Sequence, residues 1–393
     1  MGHPVGHARR HSLAQRRRSV GLSQDELAHA LGIERSTIVR WEAGRTEPQA
    51  WVRPPLARAL QLSEEQLDDV LHAESASPDA VDRRAFAGLA TALALAPLAR
   101  ARTGSQIGAT QVRQLRQRTA RLRRLDDHLG GMDTYGVYTS EMDATAKLIK
   151  TASYSSTTAR ALTGVFAEQA QMAGWAAFDA GRYVESRRHY RAALSAAKES
   201  GDPGLEGNSL AFIAYEKADT QTAAQSTRVA GTRTTPRVRA LLHERLAWAY
   251  AVSGQVSATA RALDAAVAAV NESSHFPEPD WVFWVDPLEI DIMAGRCYTE
   301  LGRPARAVPL LDDALSRYDD THSRDKALYS TWLAHALMDA DDPERAAYVT
   351  EHAIDLASGV GSVRPGERLR GVLSRLTRYG GPEVAAVLER ARG

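Results

Sequence analysis

Four stretches between residues 173 and 354 of this 393-residue chain repeat one pattern. They are AGWAAFDAGRYVESRRHYRAAL (173–194), LAWAYAVSGQVSATARALDAAV (246–267), AGRCYTELGRPARAVPLLDDAL (294–315) and LAHALMDADDPERAAYVTEHAI (333–354). Each sets a small residue (Gly174, Ala247, Gly295, Ala334) seven positions before a turn residue (Gly181, Gly254, Gly302, Asp341). A turn flanked by apolar residues at helical spacing gives two antiparallel helices, and the small residue lets them cross closely. A single such pair cannot bury its apolar faces, so neighbouring pairs must stack and the ends must be covered. The turns lie 73, 48 and 39 residues apart. The first gap leaves room for a degenerate pair around 205–231, and the second for an insertion at 271–287. Residues 363–392 read as capping helices. No strand-like alternation or Asn-Gly hairpin occurs anywhere, so the expected fold is all-α.

Over roughly 160–356 the pattern resembles the tetratricopeptide repeat, whose period is about 34 residues. The resemblance implies an α-solenoid whose first helices line a concave wall. By that register Gln171, Trp175, Glu244, Trp248, Arg296, Glu300 and His335 face the wall, suiting a peptide or an extended small effector. Inter-repeat packing is the competing role for Trp175 and Trp248. The segment HFPEPDWVFWVDP (275–287) reads either as a loop folded over the groove or as core for a lengthened helix.

The N-terminal segment LAQRRRSVGLSQDELAHALGIERSTIVRWEAGRTEP reads as three short helices around two glycine-marked turns. Gly21 ends a basic first helix. Ser23 opens a second, with Glu26 completing a capping box; Leu27, Ala28 and Leu31 form its apolar face and Gly32 its C-terminal turn. A third runs from Arg35 to Glu42, with Ile38 and Trp41 inward and Arg35, Ser36, Thr37 and Arg40 outward. Pro54 and Pro55 open a fourth, and Ser63 with Gln66 caps a fifth over about 64–72.

These motifs resemble the Cro/repressor-type (xenobiotic response element) helix-turn-helix regulators, over about 60 residues. The resemblance implies a five-helix DNA-binding domain whose third helix enters the major groove of double-stranded DNA. It places a phosphate contact on Gln24 and base reading on Arg35, Ser36 and Arg40. Arg45 is a further phosphate candidate. It also pairs Arg17 with Glu42 as a structural clamp. Such regulators commonly act as homodimers on a two-fold site.

Charge alone is a weak argument here, because 44 of the 49 basic residues are Arg and only five Lys, the bias of a GC-rich genome. Its distribution is more informative. Residues 1–125 hold 20 Arg against 12 Asp and Glu, whereas the rest holds 29 basic against 36 acidic residues. A basic head on an acidic body fits one DNA-binding end. The expected domains are 1–74, a linker with an apolar helix at 75–110, and the repeat domain at 111–393, whose first helix is a basic one over 111–129.

Residues 82–101 imitate a twin-arginine export signal but follow a complete DNA-binding module, and their apolar run is too short to span a bilayer. They read as an amphipathic or buried helix. Cys297 is the only cysteine, which excludes an intramolecular disulfide and suits the cytoplasm. No phosphate-loop, dinucleotide, nucleophile-elbow or H-E-x-x-H motif is present. His3, His7 and His11 lack a supporting carboxylate, so no metal, cofactor or enzyme activity is expected. The reading is a sequence-specific transcription regulator whose repeats dimerise and sense an effector, with an interaction adaptor carrying a vestigial DNA-binding module as the alternative.

Overall fold

The computed structural model describes Leu13, Arg16, Arg17, Val20 and residues 22–42, 46–49, 51–72, 106–127, 129–274, 276–318 and 322–392. The expectations for residues 73–105, the N-terminal histidines and Arg45 fall outside these. The chain divides into two units, Met1–Ala96 and Pro97–Gly393.

In the N-terminal unit, Leu13, Arg16 and Arg17 are helical, followed by α1 (Gln24–Leu31), α2 (Arg35–Glu42), α3 (Arg53–Ala59) and α4 (Glu64–His72). The Ser23 hydroxyl accepts from the Glu26 amide while the Glu26 carboxylate accepts from the Ser23 amide, forming the expected box. Gly32 ends α1 at φ 65°, a left-handed conformation that a β-carbon would strain. The Ser63–Gln66 box is reciprocal as well. Leu13, Leu27, Ile38, Trp41, Leu56, Leu60, Leu67 and Leu71 form one core that fixes α2 against α1 and α3.

The C-terminal unit begins with α5 (Ala109–Arg123), a 3-10 turn (Arg124–Asp127) and α6 (Gly131–Thr151). The expected basic helix over 111–129 therefore stops at Arg123, and α6 was not read from the sequence at all. Helix pairs follow: α7 (Ser156–Asp179) with α8 (Tyr183–Ser200), α9 (Pro203–Tyr215) with α10 (Thr220–Ala230), and α11 (Pro236–Val252) with α12 (Val256–Val270). After an insertion with a 3-10 turn at Asp280–Val282 come α13 (Pro287–Glu300) with α14 (Pro304–Arg317), then α15 (Ser323–Asp339) with α16 (Pro343–Ala357). The caps are α17 (Arg364–Leu376) and α18 (Pro382–Arg390). This is an α-solenoid, and the degenerate pair occupies the expected place. Gly181, Gly254, Gly302 and Asp341 all take φ between 60° and 75° at their turns. At Gly174 a β-carbon would lie 2.4 Å from the Tyr190 ring, and at Gly295 2.5 Å from Leu311, which explains the small residues where helices cross.

The array closes on itself. The Met132 amide donates to the Gly361 carbonyl (2.8 Å), the Val363 amide to the Asp179 carbonyl (3.0 Å), and the Ser362 hydroxyl to the Asp179 carboxylate (2.9 Å). The backbones approach so closely that a β-carbon on Gly130 would sit 2.1 Å from the Gly361 carbonyl. Arg324, at the start of α15, holds Asp126 of the first 3-10 turn at 2.9 Å. Among the described residues no helix is long and apolar enough to cross a membrane.

Candidate nucleic-acid interface and interior cavity

On α2, Ile38 and Trp41 are buried, which turns Arg35, Ser36 and Arg40 to solvent and leaves Thr37 half-buried. The Arg40 guanidinium donates to the Thr37 hydroxyl at 3.1 Å, keeping both on one face. Gln24 is a bridge: its amide donates to Glu42 Oε2 at 2.7 Å and its carbonyl accepts from Arg35 at 3.4 Å. Arg35 also lies 3.8 Å from Asp25. Arg17 grips Glu42 through two hydrogen bonds, at 2.6 and 3.2 Å, and donates to the Leu22 carbonyl at 2.7 Å. The clamp thus ties the first helix to the last residue of α2, and through Gln24 it reaches the guanidinium of Arg35. The arrangement offers two exposed guanidiniums and one hydroxyl on a short, firmly seated helix.

Inside the C-terminal unit lies a cavity of about 530 Å³. Of the seven residues assigned to the concave wall, Gln171, Trp175 and Arg296 line it. The other four are not among its lining residues. Glu244 is fully buried beside Arg245, 3.4 Å away. Trp248 is packed under Arg296, 4.6 Å from ring to guanidinium, with its edge toward Trp332. Glu300 accepts from the Trp332 indole at 2.9 Å. His335 is half-buried, and burial with Arg368 and Arg375 nearby lowers its pKa to about 4. Interlocking aromatics from successive first helices fill the places where the register leaves an open wall.

The remaining lining comes from parts that the repeat register cannot number. Phe212 and Tyr215 belong to the degenerate pair, Asp127 to the first 3-10 turn, and Arg364 to the cap. The insertion supplies Trp281, Phe283 and Trp284: no lengthened helix forms, only a 3-10 turn, yet Trp281, Val282 and Val285 are buried core while the three aromatics also line the cavity. Asp280 pairs with Arg123 and with Arg124 (2.7 Å), and the Arg124 guanidinium stacks on Phe283 at 3.4 Å.

Charge inside the cavity is unevenly spent. Burial would raise the Tyr215 hydroxyl, but Arg296, Arg364 and Arg245 outweigh it and bring its pKa down to about 8. Asp127 is pushed up to about 7 by burial and by Asp126 and Asp325. Glu289 and Glu244 are raised by burial, and Glu244 raises Glu289 further. Burial also raises the Cys297 thiol, which suits a spectator in the core. No group of three or more metal-ligating side chains occurs among the described residues.

The family model described as a helix-turn-helix domain matches residues 10–70. An uncharacterized HTH-type transcriptional regulator of Methanothermobacter thermautotrophicus is 36% identical over 58 residues, which span 15% of this chain and 81% of that protein. Both matches fall on the unit that carries α1 and α2.

Proposed function

Because the chain belongs to the HTH-type transcriptional regulators, we propose that it is an effector-responsive one: α2 reads operator DNA in the major groove, and a ligand in the interior cavity alters that reading. The cavity carries this proposal. A space of about 530 Å³ lined by aromatics, six arginines and six carboxylates is of the size that small ligands occupy. We read the solenoid as tetratricopeptide-like and the N-terminal unit as Cro/repressor-like, as the motifs suggest. The cavity then serves for binding, not catalysis, and the protein acts in the cytoplasm.

One α2 covers one half-site, so two copies of the chain on a two-fold operator supply the affinity that a single module lacks. The test is linkage. Operator affinity of the full chain is measured by gel shift with and without fractionated cell extract, and the active fraction is then titrated by calorimetry with and without DNA. A ligand that changes DNA affinity must be bound more or less tightly in the presence of DNA by the same factor. A tightly held ligand with equal affinity in both cases supports an adaptor instead.

A further inference from the structure

We propose that the interior cavity takes a planar aromatic anion, its acid group held by Arg296 and Arg364 beside Tyr215 and its ring against Trp175, Phe212 and Trp284. This rests on the effector reading and names the chemistry of the effector.

Arg296 carries the inference. Only 2% of it is exposed, and it lines the cavity. Its guanidinium lies over the rings of Trp248 (4.6 Å) and Trp332 (4.2 Å) and donates to the Tyr215 hydroxyl at 2.8 Å. Its Nε has no hydrogen-bond partner, and no carboxylate among the described residues pairs with it. A buried guanidinium with no carboxylate in direct contact is costly to desolvate, and an anion in the cavity recovers that cost.

The other arginines of the lining each have a carboxylate nearby, Arg317 holding Asp313, and Arg364 divides its guanidinium between Asp179 and the Tyr215 phenol. Arg324 holds Asp126 and Asp325, and Arg123 holds Glu168 and Asp280. Arg245 lies 3.4 Å from Glu244, and Arg364 lies 3.5 Å from Asp179. Arg364 also reaches the Tyr215 hydroxyl at 3.5 Å, so two guanidiniums converge on one phenol. Of the six lining acids, Asp126 and Asp325 are held by Arg324, Glu168 by Arg123, and Asp286 accepts from the Glu289 amide. Burial and neighbouring carboxylates favour the protonated forms of Asp127 and Glu289.

The flat shape of the ligand follows from the walls. Trp175 lies 5.8 Å from Phe212 and 6.0 Å from Tyr215, with Arg364 over its face at 4.7 Å. Arg245 sits between Tyr215 (5.1 Å) and Trp284 (5.6 Å), bringing the insertion to the same subsite. Aromatic faces beside arginines receive a ring carrying a carboxylate or sulfonate better than they receive an aliphatic chain.

The test uses the full-length chain and three probes of one shape: 2-naphthoate, 2-naphthalenemethanol and 2-naphthylmethylamine, titrated by calorimetry at neutral pH. The expected order puts 2-naphthoate about tenfold or more tighter than the alcohol, with the amine weakest. Arg296→Gln should abolish the preference for the carboxylate while leaving the alcohol within about threefold of wild type. Arg364→Gln, on the cap helix and outside the repeats, should narrow the preference; it serves as the readout should Arg296→Gln fail to fold. Equal binding of acid and alcohol, tighter binding of the amine, or no binding of any probe overturns the proposal. So does an unchanged carboxylate preference in either folded variant. If 2-naphthoate binds with the expected preference but leaves DNA affinity untouched, the anion site stands and the effector reading falls. If a neutral or cationic extract component shifts DNA affinity from the cavity while 2-naphthoate shows no preference, the reverse holds.

Discussion

Arg17 and Glu42 show how one pair of side chains can set the aim of a reading helix. Their side chains are 5% and 7% exposed, so removing one partner strands the other in the core at a cost of about 3–5 kcal/mol. Glu42→Ala is expected to lower the thermal midpoint of the N-terminal unit, seen as early loss of amide protection in α1 and α2. It should also weaken binding to every DNA sequence. Arg40→Ala acts differently. It should leave the melt unchanged and remove about 1–3 kcal/mol of base preference, measured by competition between cognate and scrambled operators. At Asp127 the sign of the pH dependence is set by a folded pKa of about 7 against 3.8 for an ordinary aspartate. The folded chain keeps a proton there that the unfolded chain loses, so this group's stabilisation is complete below pH 4 and fades as pH rises to 7. Asp127→Asn should therefore raise the midpoint at pH 8 by a few degrees, and the gain should vanish near pH 4 on thermal melts.

At the scale of the helix, the crossings are the sensitive points. Gly174→Ala gains about 1 kcal/mol of helix propensity but drives a methyl into Tyr190, and such overpacking costs about 1–3 kcal/mol. A net loss of up to about 2 kcal/mol in denaturant melts is expected, and Tyr190→Phe should not rescue it because the clash is with the ring. These crossings were legible in the sequence because a small residue seven positions before a turn leaves a pattern that repeats. So were α1, α2 and both capping boxes, since a cap is local chemistry within four residues. Helix α6 was not, for its apolar contacts are spread over Thr134, Tyr138, Met142 and Thr145 without a repeat to compare against. The cavity was half legible. Gln171, Trp175 and Arg296 sit where the repeat register puts them, but Tyr215 belongs to the degenerate pair and Arg364 joins it only through long-range closure, which no local pattern encodes. Trp248 is buried by Arg296 and Trp332 from later first helices, contacts that its own repeat does not reveal.

For the whole molecule, the proposed pairing of two chains predicts that light scattering gives twice the chain mass for the full-length protein. A monomer at all concentrations used for DNA binding would end that part of the proposal. The contact between residues 130–133 and 361–363 carries a consequence of another kind. An open stack of repeats is a spring: each unit answers to its neighbours, and the ends fray first. Joined at Gly130 and Gly361, this one is a hoop. Its girth is fixed by all the helix pairs together, so widening it at one pair requires the others to give way or the join to part. A guest that changes the girth is therefore felt around the whole circumference.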